Sequence, residues 1–205
     1  MIRTFLAVEL SEPVRAALGE FQRALRQRLS HELAKDVRIS WVQPASIHLT
    51  VKFLGDISEQ LVQPMHEAVE QWLSPHRRIE IPLERVGVFP SLQQPRVLWV
   101  GPSEQWNASP DAARLKSLHR AVEEACASLD LQPDSRPLSP HLTLARIKDG
   151  GRLAGQSLAR SGVMERALAL GSLSLAAIAL MKSELKPTGS VYTRLWEARL
   201  EEGRS

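Results

Sequence analysis

Two short segments carry the residue types best suited to chemistry. Residues 46–54 read Ser-Ile-His-Leu-Thr-Val-Lys-Phe-Leu, and residues 139–147 read Ser-Pro-His-Leu-Thr-Leu-Ala-Arg-Ile. Each holds His-Leu-Thr, with a Ser two residues before the His and an apolar residue after the Thr. Side chains at i and i+2 of a strand share a face. His48 and Thr50 therefore project together, as do His141 and Thr143. Leu49, Val51, Phe53, Leu142 and Leu144 are expected on the opposite, core-facing side.

Brought together, two such strands offer two imidazoles and two hydroxyls. An imidazole titrates near pH 6.5, so one ring can be neutral while the other is protonated. Such a pair suits an in-line displacement at phosphorus, one ring activating the attacking oxygen and the other protonating the leaving oxygen. Each transfer contributes roughly 10²–10⁴-fold in rate. The Thr hydroxyls can donate to non-bridging phosphate oxygens as charge builds there. A single His beside a Thr more often serves structure, but a matched pair argues for chemistry. Two His could also ligate zinc, yet a catalytic zinc usually takes a third protein ligand, and neither segment supplies one.

The surrounding elements must position these motifs. Residues 3–10 read as a strand. A helix follows, with Ser11 as N-cap, Pro13 in its first turn and Val14, Leu18, Phe21, Leu25 and Leu29 at helical spacing. Residues 37–55 read as a strand, a Pro turn and a second strand. Pro64 sets the start of a helix that runs to about Leu73. Residues 77–90 and 95–101 read as paired strands, and 101–111 as a loop that crosses between lobes. A helix follows, with Ala113, Leu115, Leu118, Ala121, Val122, Ala125 and Leu129 at helical spacing on its inner side, and precedes a Pro-rich loop that delivers the second motif. Residues 148–162 hold one short helix, and two strands joined at Lys-Pro-Thr-Gly close the chain. Helices and strands recur in both halves, each half with one motif strand. The expected fold class is α+β and bilobal: two antiparallel-sheet lobes, helices outside, and a central cleft between them.

The 205 residues carry a net charge of +3, with 43% hydrophobic and 24% charged residues. These values suit one globular unit spanning 1–205. Basic residues alternate with acidic ones, which fits a few phosphate contacts and not a long track for nucleic acid. The longest apolar run, 173–181, is too short to span a bilayer. The single Cys, Cys126, excludes an internal disulfide. A cytoplasmic monomer is expected. His31, His66, His76 and His119 lie outside any motif and read as structural or surface residues.

The motifs and their flanks resemble the 2H phosphoesterase superfamily, named for its two His-x-Thr motifs, and within it the RNA 2′,3′-cyclic phosphodiesterases, historically called 2′-5′ RNA ligases. The resemblance runs in order through RTFLAVELSEPVR, WVQPASIHLTVKFLGDI, VGVFP, PRVLWVG, SPHLTLARI and SELKPTGSVYTRL. It implies metal-independent, cofactor-free opening of a 2′,3′-cyclic phosphate, on RNA ends or nucleotides, to a 2′-phosphomonoester. By position, His48 matches the proton donor and His141 the proton acceptor. Thr50 and Thr143 match phosphate-binding hydroxyls. Arg146 matches a basic residue near the substrate, although strict alternation puts it on the face opposite His141 unless a bulge intervenes. Phe53 holds the equivalent offset in the first motif, where it could stack a base but, as an apolar strand residue, reads as core. Lys52 shares the face of His48. Ligation by the reverse reaction, or non-catalytic binding of nucleotides or RNA ends, are the competing functions.

Overall fold

The opening strand sits at the centre of the packing, because it buries five consecutive residues, Thr4 to Val8. A strand so apolar needs cover on both faces. The computed structural model describes residues 1–30, 36–134, 137–187 and 189–201; His31 lies outside them. The element order is β1 (Ile2–Glu9), α1 (Glu12–Ser30), β2 (Arg38–Trp41), β3 (His48–Ile57), α2 (Val62–Leu73), β4 (Ile79–Pro82), β5 (Arg85–Phe89), β6 (Val97–Gly101), α3 (Pro110–Ala127), β7 (Leu142–Asp149), α4 (Gly151–Arg160), β8 (Ser172–Leu175), β9 (Ala177–Lys186) and β10 (Gly189–Arg199).

Among the described residues, the strands form two four-stranded antiparallel sheets, β10-β9-β1-β3 and β2-β7-β6-β5, and a separate pair, β4-β8. β1 lies inside the first sheet. Its Leu6 and Val8 join the main core, while Phe5 and Ala7 pack on the other face with Ala179 and Met181.

The helices form where periodicity and caps agree. α1 buries Val14, Leu18, Gln22, Leu25 and Leu29. α3 starts at Pro110 behind Ser109, whose hydroxyl accepts the amide of Ala112 at 3.1 Å. α1 lies against the second sheet, where Gln22 donates to the carbonyls of Val42 and Leu144, each at 2.9 Å. α2 lies against the first sheet, with the indole of Trp196 on β10 donating to the Val62 carbonyl at 2.9 Å. α3 is tied to β3 by a Lys52–Glu123 pair at 2.7 Å. The α+β class, the antiparallel sheets and the outer helices are as expected.

The lobes are not the two halves of the sequence. β1 and β3 pair with the late β9 and β10, and the early β2, β5 and β6 share a sheet with the late β7. The segment after β6 does cross, leaving the second sheet for α3. Other crossings join β1 to β2, β2 to β3 and the β3–α2 unit to β5. A further difference concerns 77–90, which divides at Pro82. Its first part, β4, pairs with β8 and not with the 97–101 strand. A proline has no N–H to continue a ladder.

Candidate active site

One cleft of about 450 Å³ takes in His48, Thr50, His141, Thr143, Phe53 and Arg146. The first motif opens β3, and the second stands at the entry to β7. β3 and β7 belong to different sheets but run close to one another.

Each motif is followed by a one-residue bulge. Against β1, Thr50 pairs with Ala7 and Lys52 with Leu6, leaving Val51 extra. Against β6, Thr143 pairs with Trp99 and Ala145 with Leu98, leaving Leu144 extra. An extra residue reverses the alternation beyond it. Arg146 thus joins His141 and Thr143 on the cleft face, resolving the conflict with strict alternation. The same reversal corrects two expectations in the first motif. Phe53 is not core; it is 66% exposed and lines the cleft. Lys52 does not share the face of His48. It is 2% exposed on the other side, where its ammonium donates to Glu123 at 2.7 Å and to the Gln132 carbonyl at 2.9 Å.

The repeated Ser has a geometric use. His48 Nδ1 lies 2.9 Å from the Ser46 carbonyl oxygen, and His141 Nδ1 lies 2.8 Å from that of Ser139. A carbonyl only accepts, so each Nδ1 carries the proton. That leaves Nε2 of a neutral ring with a free lone pair, or Nε2 of a protonated ring with a proton to give.

Aromatic side chains hold each ring. Phe5 and Tyr192 flank His48, with centroids at 4.8 and 5.1 Å, the Tyr edge-on. Phe89 meets His141 edge-on at 5.0 Å and stacks on Trp99 at 5.2 Å. Gly87 makes room for that indole, since a Cβ there would lie 2.0 Å from Trp99 Cζ2.

Burial pushes both imidazoles below their ordinary value, and the hydrogen bonds to Ser46 and Ser139 oppose it. The Arg146 guanidinium lowers both further. Glu9, opposite His48 in the β1–β3 register, favours the protonated form of His48, which also feels the charge of His141. Among the described residues, no carboxylate raises His141 in the same way.

Several cleft residues went unremarked in the sequence. Arg3 reaches the cleft from β1, and Tyr192 from β10. Arg3, Phe5, Ala7 and Glu9 alternate along β1, so aligning that strand with β3 would have found them. The other described histidines stay outside the cleft. His66 bonds the Glu197 carbonyl at 3.2 Å and stacks on Trp196, and His119 lies 3.6 Å from Glu123. Cys126 is buried, and burial pushes its thiol up to about 11. Among the described residues, no three His, Cys, Asp or Glu side chains gather closely enough to hold a metal ion. No helix among them is long and apolar enough to cross a membrane.

Comparison with known proteins agrees with this architecture. A family model described as LigT-like phosphoesterase matches residues 8–99 and 108–192. A protein of Methanothermobacter thermautotrophicus named RNA 2′,3′-cyclic phosphodiesterase is 29% identical over 97% of this chain and 99% of its own. One of the same name from Aquifex aeolicus is 31% identical over 88% of this chain and 94% of its own. The crystal structure of TT0787 of Thermus thermophilus superposes with a TM-score of 0.69 at 28% identity, covering 99% of this chain and all of that one. With both motif strands inside the matched residues, the chain belongs to the LigT-like phosphoesterases of the 2H superfamily.

Proposed function

We propose that the protein hydrolyses 2′,3′-cyclic phosphodiesters, on RNA ends or nucleotides, to 2′-phosphomonoesters without a metal ion. One observation carries this reading: two imidazoles, each fixed through Nδ1 by a carbonyl two residues earlier, line a single cleft, with Nε2 left free for chemistry. The printed names of the relatives support the substrate class.

Water attacks phosphorus opposite the 3′ oxygen. Nε2 of His141 accepts the water proton as the new P–O bond forms. The P–O3′ bond breaks, and Nε2–H of His48 protonates the departing oxygen. The sum is addition of one water, leaving a 2′-phosphate and a 3′-hydroxyl. Glu9 suits this assignment, because it favours the protonated state of the ring that must donate. Thr50 and Thr143 donate to the non-bridging oxygens, and Arg146 offsets their charge. Phe53, exposed beside them, offers a face on which a nucleobase stacks.

The test is product identity. Incubation of a 2′,3′-cyclic nucleotide with the protein in EDTA is expected to yield the 2′-phosphate alone. A 3′-phosphate, or loss of turnover in EDTA, overturns the mechanism.

A further inference from the structure

A second hollow lies behind the cleft, and none of the chemistry above uses it. It has a volume of about 190 Å³ and sits between α1 and the segment leaving β2. Arg23, Arg26 and Gln22 line it from α1, and Trp41, Val42 and Pro44 from the other side. Arg23 and Arg26 are exposed, one helical turn apart, and neither has an ion-pair partner among the described residues. Among the described residues, no acidic side chain lines the hollow. Trp41 is half-buried, so part of its indole stays available.

The hollow is not remote from the chemistry. Val42 belongs to the wall of both the hollow and the cleft. Its carbonyl accepts from Gln22, and its amide donates to Leu144, the bulge residue after Thr143. A chain leaving the cleft past Val42 therefore meets two guanidinium groups and an indole. That combination suits single-stranded nucleic acid, where cations meet the backbone and an aromatic face takes a base. The volume accommodates part of a nucleotide, which fits a contact along a strand better than a site for a free ligand.

We infer that Arg23, Arg26 and Trp41 form a subsite for the RNA chain behind the reacting terminus, so that oligonucleotides are held better than mononucleotides. The inference rests on the function proposed above and names the form of substrate that function prefers.

Steady-state kinetics of Arg23→Gln/Arg26→Gln test it, with a 2′,3′-cyclic mononucleotide and with a short single-stranded RNA ending in a 2′,3′-cyclic phosphate. The expected result is a KM for the RNA raised about 10-fold, with the mononucleotide unchanged. The dependence of log affinity on log salt should flatten by about 1.4, from two contacts at about 0.7 each. Trp41→Leu, checked for folding by thermal denaturation, should raise the RNA KM in the same selective way. Equal effects on both substrates, or none on either, overturn the inference. Fluorescence anisotropy with a labelled RNA ending in a 2′-phosphate separates it from the catalytic reading. If the unmodified protein turns over neither substrate, the catalytic reading has failed, yet weaker RNA binding by the double variant still supports the subsite. Equal RNA affinity of the two proteins removes it.

Discussion

Arg146 and Phe53 occupy matching places. Each stands five positions after its motif histidine, and each faces the cleft because an extra residue follows the motif threonine. The two strands thus share one backbone device but end in different chemistry, a cation on one side and an aromatic face on the other.

The aromatic side is tested by Phe53→Ala. Stacking on an exposed ring contributes about 1–3 kcal/mol, so the KM for a cyclic nucleotide should rise roughly 10-fold with kcat little changed. Phe53→Trp should retain binding. Because the side chain is largely exposed, the melting temperature should barely move, which thermal denaturation can check.

Removing either imidazole should act on kcat. His48→Ala and His141→Ala are each expected to lower it about 10²–10⁴-fold. The double variant should fall little further than the worse single one, because the proposed mechanism uses both rings in one displacement. Additive losses in the double variant would argue against a concerted pair.

The pH dependence follows from the environment of the rings. In the proposed mechanism, protonation of His141 removes the base at low pH, and deprotonation of His48 removes the acid at high pH. Both groups are held below the ordinary imidazole range, chiefly by burial. The kcat/KM profile, which reports the free enzyme, should peak below about pH 6.5 and decline as pH rises. Glu9→Gln removes a charge that favours protonated His48, so the alkaline limb should move to lower pH while the acid limb stays. Arg146→Ala should move both limbs upward, because its charge depresses both rings.

On the far side of β3, Lys52 is tested by denaturation. Its side chain is 1% exposed, and its removal deprives the half-buried Glu123 carboxylate of its lysine partner. Lys52→Met should cost about 3 kcal/mol in urea unfolding. Lys52→Met/Glu123→Leu should recover part of that loss.

Gly87→Ala probes the support behind His141. The new methyl would overlap the Trp99 indole, and accommodating it should cost about 1–3 kcal/mol. Since Trp99 stacks on Phe89 and Phe89 meets His141, kcat should fall as well.

The pairing of the two motifs was legible because side-chain period and residue chemistry are local properties. His48 and Thr50 share a face, as do His141 and Thr143, as the strand rule required, and all four line one cleft. The places of Phe53 and Lys52 were not legible, because a bulge depends on which strand lies alongside. Val51 and Leu144 look like ordinary strand residues until β1 and β6 pair with their strands. The same limit hid Glu9 and the aromatic neighbours of each ring, which come from distant segments. Helix positions followed the Ser11 and Pro64 signals closely, whereas α3 begins at Pro110, inside the stretch read as loop. The division of strands between sheets did not follow from their order, since nothing local in β2 says that its partner is β7.

That division has a mechanical consequence. Both sheets are woven from early and late segments, so cutting the chain at its middle would leave neither one complete. The successive crossings act as covalent ties across the gap, and a swing of one lobe would have to deform several of them at once. On this connectivity the spacing of the two rings is expected to be set as the chain folds, so that a substrate should meet a gap of little-changed breadth. For the proposed acid and base, alignment would then be prepared in advance, with little ordering of the protein left for the moment of binding.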